Sequence, residues 1–406
     1  MRRAVITGIG FRSPLGCDWN SVRAALRRQE NRTERCDELD GFRNLNCRLA
    51  CRAAGTLPEY PRRKSRSLGR VGHLAAAATE AALGDAGLLE AEELHSPRTG
   101  IAYGSCGGAW QGLEETGRFA VERDANCLSA TSYVQIMPHS VAAGLSIFFG
   151  IHGRLIATST ACASGSQALG YAAEAVRSGA ADIMVAGGAE ELSPYSVAVF
   201  DALFATTASQ EPARTPRPFD RSRDGIVVGE GAGTLIVEER EHALRRGAPV
   251  YAEILGFATN CDATHITRPS SPRMEECMRL ALADASLVPD DIGYINAHGT
   301  GTAEGDAAEG SATWRVFGSR VPVATLKSYM GHTLGAAGAL EAAFSVLMAR
   351  DGWLAPNLNL ADPDPACGDL LFIREGGLDC HPRHVMSSNF AFGGVNTSLI
   401  FRLPDD

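Results

Sequence analysis

The 406-residue chain has no apolar run of the ~18 residues that a membrane helix requires. It also lacks a low-complexity or Pro/Ser-rich tract that would divide it, and it lacks a GxxxxGK[ST] phosphate loop. The first absence argues against membrane insertion, the second against loosely tethered domains, and the third against a P-loop nucleotide site. An excess of positive charge is missing too. With 38 Lys+Arg against 47 Asp+Glu the formal net charge is -9, which argues against nucleic acid as a general partner, so any polyanion must dock locally. The 11 cysteines are odd in number and follow no secreted-framework spacing, which reads as reduced thiols of a cytoplasmic protein. Cys47 and Cys51 have neither a second pair nor a nearby histidine, so no metal is expected there. The start, MRRAVITGIGFRSPLGC, has the arginines and apolar run of an export signal. Gly8 and Gly10 break that run and no small-residue cleavage pattern follows, so a first buried strand is expected.

What is present is a 45% hydrophobic composition, enough for a sizeable core. Short apolar runs such as AVITGIG, RTGIAYG, RLIATST, ADIMVAGGA, IGYINAHG and VPVATL alternate with alanine-rich helical runs such as VGHLAAAATEAALGDAG. That alternation predicts an α/β layered architecture. The segment SQEPARTPRPFDRSRDG reads as an ordered surface loop rather than a hinge. VGEGAGTLIVEE looks like a nucleotide loop, but a strand rather than a helix follows it, so no dinucleotide site is expected. RLIATSTACASGSQALGYAAEAVRSG and VPVATLKSYMGHTLGAAGALEAAFSVLMARDG both run from an apolar strand through a polar loop to a Gly/Ala-rich helix. Their shared shape suggests a duplicated unit.

Cys162, in TSTACASGSQ, sits where a strand ends and a helix begins. Free backbone N–H groups and the positive end of the helix dipole would favour its thiolate. Its small neighbours leave room for a substrate carbonyl, and its own amide could bond the resulting oxyanion. Cys106, in YGSCGGAW, is a competing thiol in a glycine-rich turn, but no recognisable helix follows it. His298 in YINAHGTGTAEGD and His332 in KSYMGHTLGAAGALE each follow a strand in a glycine-flanked loop, where a side chain can point into a cleft. A hydrolase would want one histidine and an orienting Asn or Asp. A second histidine, with Lys327 nearby, suggests a second electrophilic centre. If buried, Lys327 needs an acidic partner, for which Glu341 and Glu309 are candidates. SSNFAFGGVNTSLIF places Phe390 and Phe392 beside paired glycines, as suits either a plain hairpin or a ligand-covering loop.

The blocks TACASGSQALGYA, MVAGGAEE, DGIVVGEGAG, NAHGTGTAEGDAAE, KSYMGHTLGAAGALE and NFAFGGVNTSLIF resemble the β-ketoacyl-acyl carrier protein synthases, most closely the elongating synthase II type. They cover nearly the whole chain in family order. The resemblance implies a thiolase-like five-layer αβαβα sandwich of two related halves, residues 1–250 with the nucleophile and residues 251–406 with the two histidines and the phenylalanine loop. It implies decarboxylative Claisen condensation, in which Cys162 takes an acyl chain and a malonyl thioester loses CO2 to attack it. His298 and His332 would stabilise the enolate, and Lys327, paired with Glu341, would tune His332. Glu309 would be structural support. The amides of Cys162 and Phe392 would form the oxyanion hole. Phe392 matches the gating aromatic, Thr300 and Thr302 match positions that bond the phosphopantetheine arm, and Phe390 adds to the substrate wall.

No separate cofactor and no metal is implied, since substrates ride on the phosphopantetheine of acyl carrier protein. That carrier is acidic, and Arg62, Arg63, Lys64 and Arg66 in PRRKSRSLGR supply the local basic patch in the region where the family docks it. A dimer is implied. Three departures bear on the substrate. GSCGGA places Gly107 where the synthase II pattern has a bulky isoleucine gating the acyl pocket, and Ala391 replaces a glycine before Phe392. The stretches YVQIMPHSVAAGLSIFFG and GGAEELSPYSVAVFDALFATT resemble synthases of aryl polyene clusters, which suggests a conjugated acyl chain and a chain-length-factor-like partner subunit. Housekeeping fatty acid elongation, a non-catalytic chain-length factor and a non-decarboxylating thiolase-type enzyme are the alternatives.

Overall fold

The structure is a computed structural model and describes residues 2–404. Its centre is a sheet made of two runs with the same order and directions. In the first run Ala4–Arg12 lies antiparallel to Gly231–Glu239, which is antiparallel to Ile183–Glu190. Thr99–Gly104 and then Leu155–Thr158 follow in parallel. In the second run Ala252–Cys261, Val395–Arg402, His384–Ala391, Tyr294–Asn296 and Pro322–Ala324 repeat that pattern, with Leu371–Phe372 added at the far edge. The runs join where Val5 and Ile6 pair with Glu253 and Ala252, giving 11 strands in all. The export-like start is therefore a buried strand, as its broken apolar run predicted.

Strands such as Ile183–Glu190 are buried along their whole length because helices cover both faces. Gly69–Asp85 packs on the outer face of the first run, and Ser271–Ala285 and Ala303–Phe317 lie on the outside of the second. Between the runs lie Ser164–Arg177 and Ala337–Arg350, which complete the five layers.

These two central helices touch at their N-terminal ends through small residues. A Cβ on Gly165 would lie 2.9 Å from the Ala339 nitrogen, and one on Gly338 would lie 2.5 Å from the Ser166 nitrogen. Each helix is preceded by a single 3-10 turn, Ala161–Ala163 and Leu334–Ala336. Both turns start on a non-glycine residue at φ +48, Ala161 and Leu334. The duplicated shape seen in the sequence is thus a duplicated backbone, and the crossing brings its two loops face to face.

Candidate active site

Cys162 lies in the turn between the strand Leu155–Thr158 and the helix Ser164–Arg177. Left-handed backbone at Ala161 is strained for a residue with a side chain, and Ser164 holds the turn in place. Its hydroxyl accepts from the Thr160 amide at 2.9 Å and donates to the Ala161 carbonyl at 2.7 Å. The thiol is not the open group that its small neighbours suggest. It is 5% exposed, and Ala163 and Ala391 pack around it. The expected thiolate is also overturned at rest. Burial pushes the thiol up to about 12, against the opposing pull of Lys327 and of the Phe392 and Cys162 amides. Those donors face the sulfur, so they act on charge as it develops rather than before.

One ligating atom each from Cys162, His298 and His332 lies within 4.8 Å of the others, and all three residues are buried. His332 Nε2 is 2.9 Å from the sulfur. The Leu334 amide donates to His332 Nδ1 at 3.3 Å, which leaves the ring proton on Nε2. His332 therefore turns a proton rather than a lone pair toward Cys162. The cluster is tight enough for a metal, but this ring has the wrong donor chemistry for one. The imidazole rings of His298 and His332 stand edge to face, with centroids 5.1 Å apart. Burial first and Lys327 second hold both well below the ordinary imidazole range, so both are neutral at neutral pH.

The His298 loop is pinned by two carboxylates. Glu309 accepts from the His298 and Gly299 amides at 2.6 and 2.7 Å. Asp306 accepts from Phe219, Thr300 and Gly301 at 2.7, 2.9 and 3.0 Å. Sequence reasoning named Glu309 and missed Asp306, although its place in GTAEGD, three residues before Glu309 on the same helix face, was a usable signal. Of the two candidate partners for Lys327, the structure selects Glu341. The pair is 1% and 0% exposed, with Nζ bonded directly to Oε1. Asn389, also unforeseen, donates to Glu341 Oε2 at 2.8 Å.

A cavity of about 340 Å³ opens onto Cys162, His298 and His332, and Thr300, Thr302, Phe390 and Phe392 line it. The Phe392 ring packs on Phe200, with centroids 5.7 Å apart. Its loop turns on Gly393 and Gly394, at φ +88 and +72, so the segment is both a hairpin turn and the cover of a site. Ala391 ends the preceding strand opposite Val395 and carries no left-handed strain. The Thr302 hydroxyl accepts from the Gly305 amide at 3.2 Å, capping the helix Ala303–Phe317, and lies 3.0 Å from the Thr300 hydroxyl.

Two further groups stand outside this wall. The amides of Cys106 and Gly107 donate to buried Glu190 at 2.7 and 3.2 Å, and burial, then Glu190, hold the Cys106 thiol well above its ordinary range. Gly107 is exposed, and a Cβ on it would lie 3.7 Å from Glu190 Oε1. Arg62, Arg63, Lys64 and Arg66 lie exposed on and just after the short helix Arg62–Ser65, and none forms an ion pair among the described residues.

The chain as a whole has known relatives. Residues 1–243 match the family model for the β-ketoacyl synthase N-terminal domain and residues 251–361 that for the C-terminal domain. The chain is 37% identical over 411 aligned residues to 3-oxoacyl-[acyl-carrier-protein] synthase 2 of Vibrio cholerae, covering 99% of each. A solved β-ketoacyl synthase from Burkholderia phymatum superposes with a TM-score of 0.98 at 49% identity, over 100% of both chains. The ishigamide ketosynthase/chain length factor superposes with a TM-score of 0.91 at 31% identity, again over 100% of both. Fold and sequence thus agree along the whole length, and the chain belongs to the β-ketoacyl synthase family.

Proposed function

We propose that the protein condenses an acyl thioester with a malonyl thioester, both presented on the phosphopantetheine arm of acyl carrier protein. The Cys162 sulfur attacks the acyl carbonyl while the Cys162 and Phe392 amides, already aimed at the sulfur, bind the oxyanion. The carrier thiol leaves with the proton that Cys162 gives up. A malonyl thioester then enters the same cavity and loses CO2. The two neutral imidazoles donate N–H bonds to the enolate oxygen, and the carbanion attacks the acyl carbon, expelling Cys162 as a thiolate that takes up a proton from solvent to restore the resting thiol. Burial first and Lys327 second keep both imidazoles unprotonated, and Lys327, paired with Glu341, does so without itself meeting substrate.

The observation that carries this reading is one thiol and two neutral imidazoles within 4.8 Å at the floor of a single cavity. Cys162→Ala is the test. Mass spectrometry should show no acyl adduct on the variant while malonyl-carrier still decarboxylates at the histidines, and persistent carbon–carbon bond formation would overturn the reading.

The finer assignments belong to the same proposal. The division into residues 1–250 and 251–406 follows the repeat of sheet order across the chain. Thr300 and Thr302 bond the arm, Phe390 and Phe392 wall it in, and Arg62, Arg63, Lys64 and Arg66 receive the acidic carrier. Gly107, standing where the synthase II pattern has a bulky isoleucine, supports a longer, rigid acyl group such as a polyene. Comparing saturated with polyenoyl carrier thioesters decides between this and housekeeping elongation, since a preference for saturated chains removes the polyene assignment. The protein works as a dimer, either with itself or with a chain-length-factor-like subunit.

A further inference from the structure

The two imidazoles are held in different ways. His332 receives its Nδ1 bond from a backbone amide. His298 receives one from a side chain, since Asn389 Nδ2 lies 3.3 Å from His298 Nδ1. Asn389 is fully buried near the end of the strand His384–Ala391. The same nitrogen donates to Glu341 Oε2 at 2.8 Å, and this fixes which way the amide faces, because the reverse orientation would set its oxygen against a carboxylate. An amide nitrogen carries two protons, and here one goes to each neighbour. His298 Nδ1 is therefore an acceptor, and the ring proton sits on Nε2.

Asn389 Oδ1, by contrast, is buried with no partner. Gly338 leaves room for it, since a Cβ there would come within 2.7 Å of that oxygen. An orphaned buried acceptor weakens the fold, so packing alone gives no reason for an asparagine at this point. We propose that Asn389 is a positioning residue that locks His298 as its Nε2–H tautomer and so keeps one of the two enolate donors in place. The inference rests on the reading that His298 donates to the malonyl oxygen. It ties Lys327, Glu341, Asn389 and His298 into one chain in which the Lys327–Glu341 pair orients the amide and the amide orients the proton.

The test compares wild type with Asn389→Leu and Asn389→Ser in separate half-reactions. Decarboxylation of malonyl-carrier by the acyl-enzyme should fall about 10- to 100-fold. Acylation of Cys162 should stay within about threefold, because it does not draw on His298. Melting temperature should fall, since Glu341 Oε2 and His298 Nδ1 lose their shared donor, so both half-reactions are compared at a temperature where every variant is folded. A parallel fall in both half-reactions, or unchanged decarboxylation, overturns the proposal. Should neither variant fold, 15N spectra of histidine-labelled wild type give the answer, because a proton found on His298 Nδ1 overturns the lock and one on Nε2 supports it. Wild type that fails to decarboxylate malonyl-carrier at all would sink the condensing reading itself rather than this assignment.

Discussion

Lys327 and Glu341 are almost sealed from water, and each is tolerable only because of the other. Removing one leaves a bare buried charge, so Lys327→Met should cost about 3–5 kcal/mol in urea unfolding, while adding Glu341→Gln to it should restore much of that loss. The histidines set a second expectation. Burial and Lys327 keep the folded-state values of His298 and His332 well below 6.5. In the unfolded chain they protonate near ~6.5. The unfolded state therefore binds more protons below that pH, and stability, complete above it, falls as pH drops. Each histidine should contribute up to about 1.4 kcal/mol per pH unit in that window, and the urea midpoint of a His298→Gln variant should fall less steeply than that of wild type.

At this scale Cys162, His298 and His332 were legible because each stands in a small-residue loop after an apolar run. The protonation of the thiol was not, because the residues that bury it, among them Ala391, come from the far end of the sequence. Nor was Asn389 legible, since its meaning lies in two partners on other elements.

Among the elements, the central helices govern the site. Ser164–Arg177 follows the 3-10 turn that holds Cys162, Ala337–Arg350 follows the 3-10 turn that comes after His332, and the two helices meet at Gly165, Ala339, Gly338 and Ser166. Gly338→Ala should force them apart, lowering stability by about 1–3 kcal/mol and slowing acylation and decarboxylation together, unlike the Asn389 variants. Paired half-reaction assays on the purified variant check this. The strand–loop–helix shape of both segments was visible in LIATST and VPVATL with the Gly/Ala runs that follow them. The matched strain at Ala161 and Leu334 was not, because a left-handed alanine or leucine leaves no compositional mark.

In the whole molecule, the strand Leu155–Thr158 ends the sheet with one side unpaired among the described residues, and Leu155 and Ile147 nearby in sequence are 42% and 78% exposed. An unpaired apolar edge invites a second chain. On the proposed dimer, Leu155→Asp should shift sedimentation toward the monomer. Carrier docking has a convenient reporter, because Lys64 and Lys327 are the only lysines in the chain and Lys327 is inaccessible. Side-chain amine labelling therefore reads Lys64 alone, and saturating acyl carrier protein should protect it, with protection lost in high salt. The layered class and the related halves could be read from alternating strand and helix runs. The joining of both halves into one sheet could not, since it rests on pairing at Val5 and Ile6 between residues far apart in sequence.

The meeting of the two central helices has one more consequence. The atoms that make the new carbon–carbon bond are registered by a junction of glycine, alanine and serine deep in the molecule, whereas the basic residues of the helix Arg62–Ser65 lie exposed at the surface. Selection, or an engineer, can therefore retune the choice of carrier by editing that outlying helix while the bond-forming tool stays as it is.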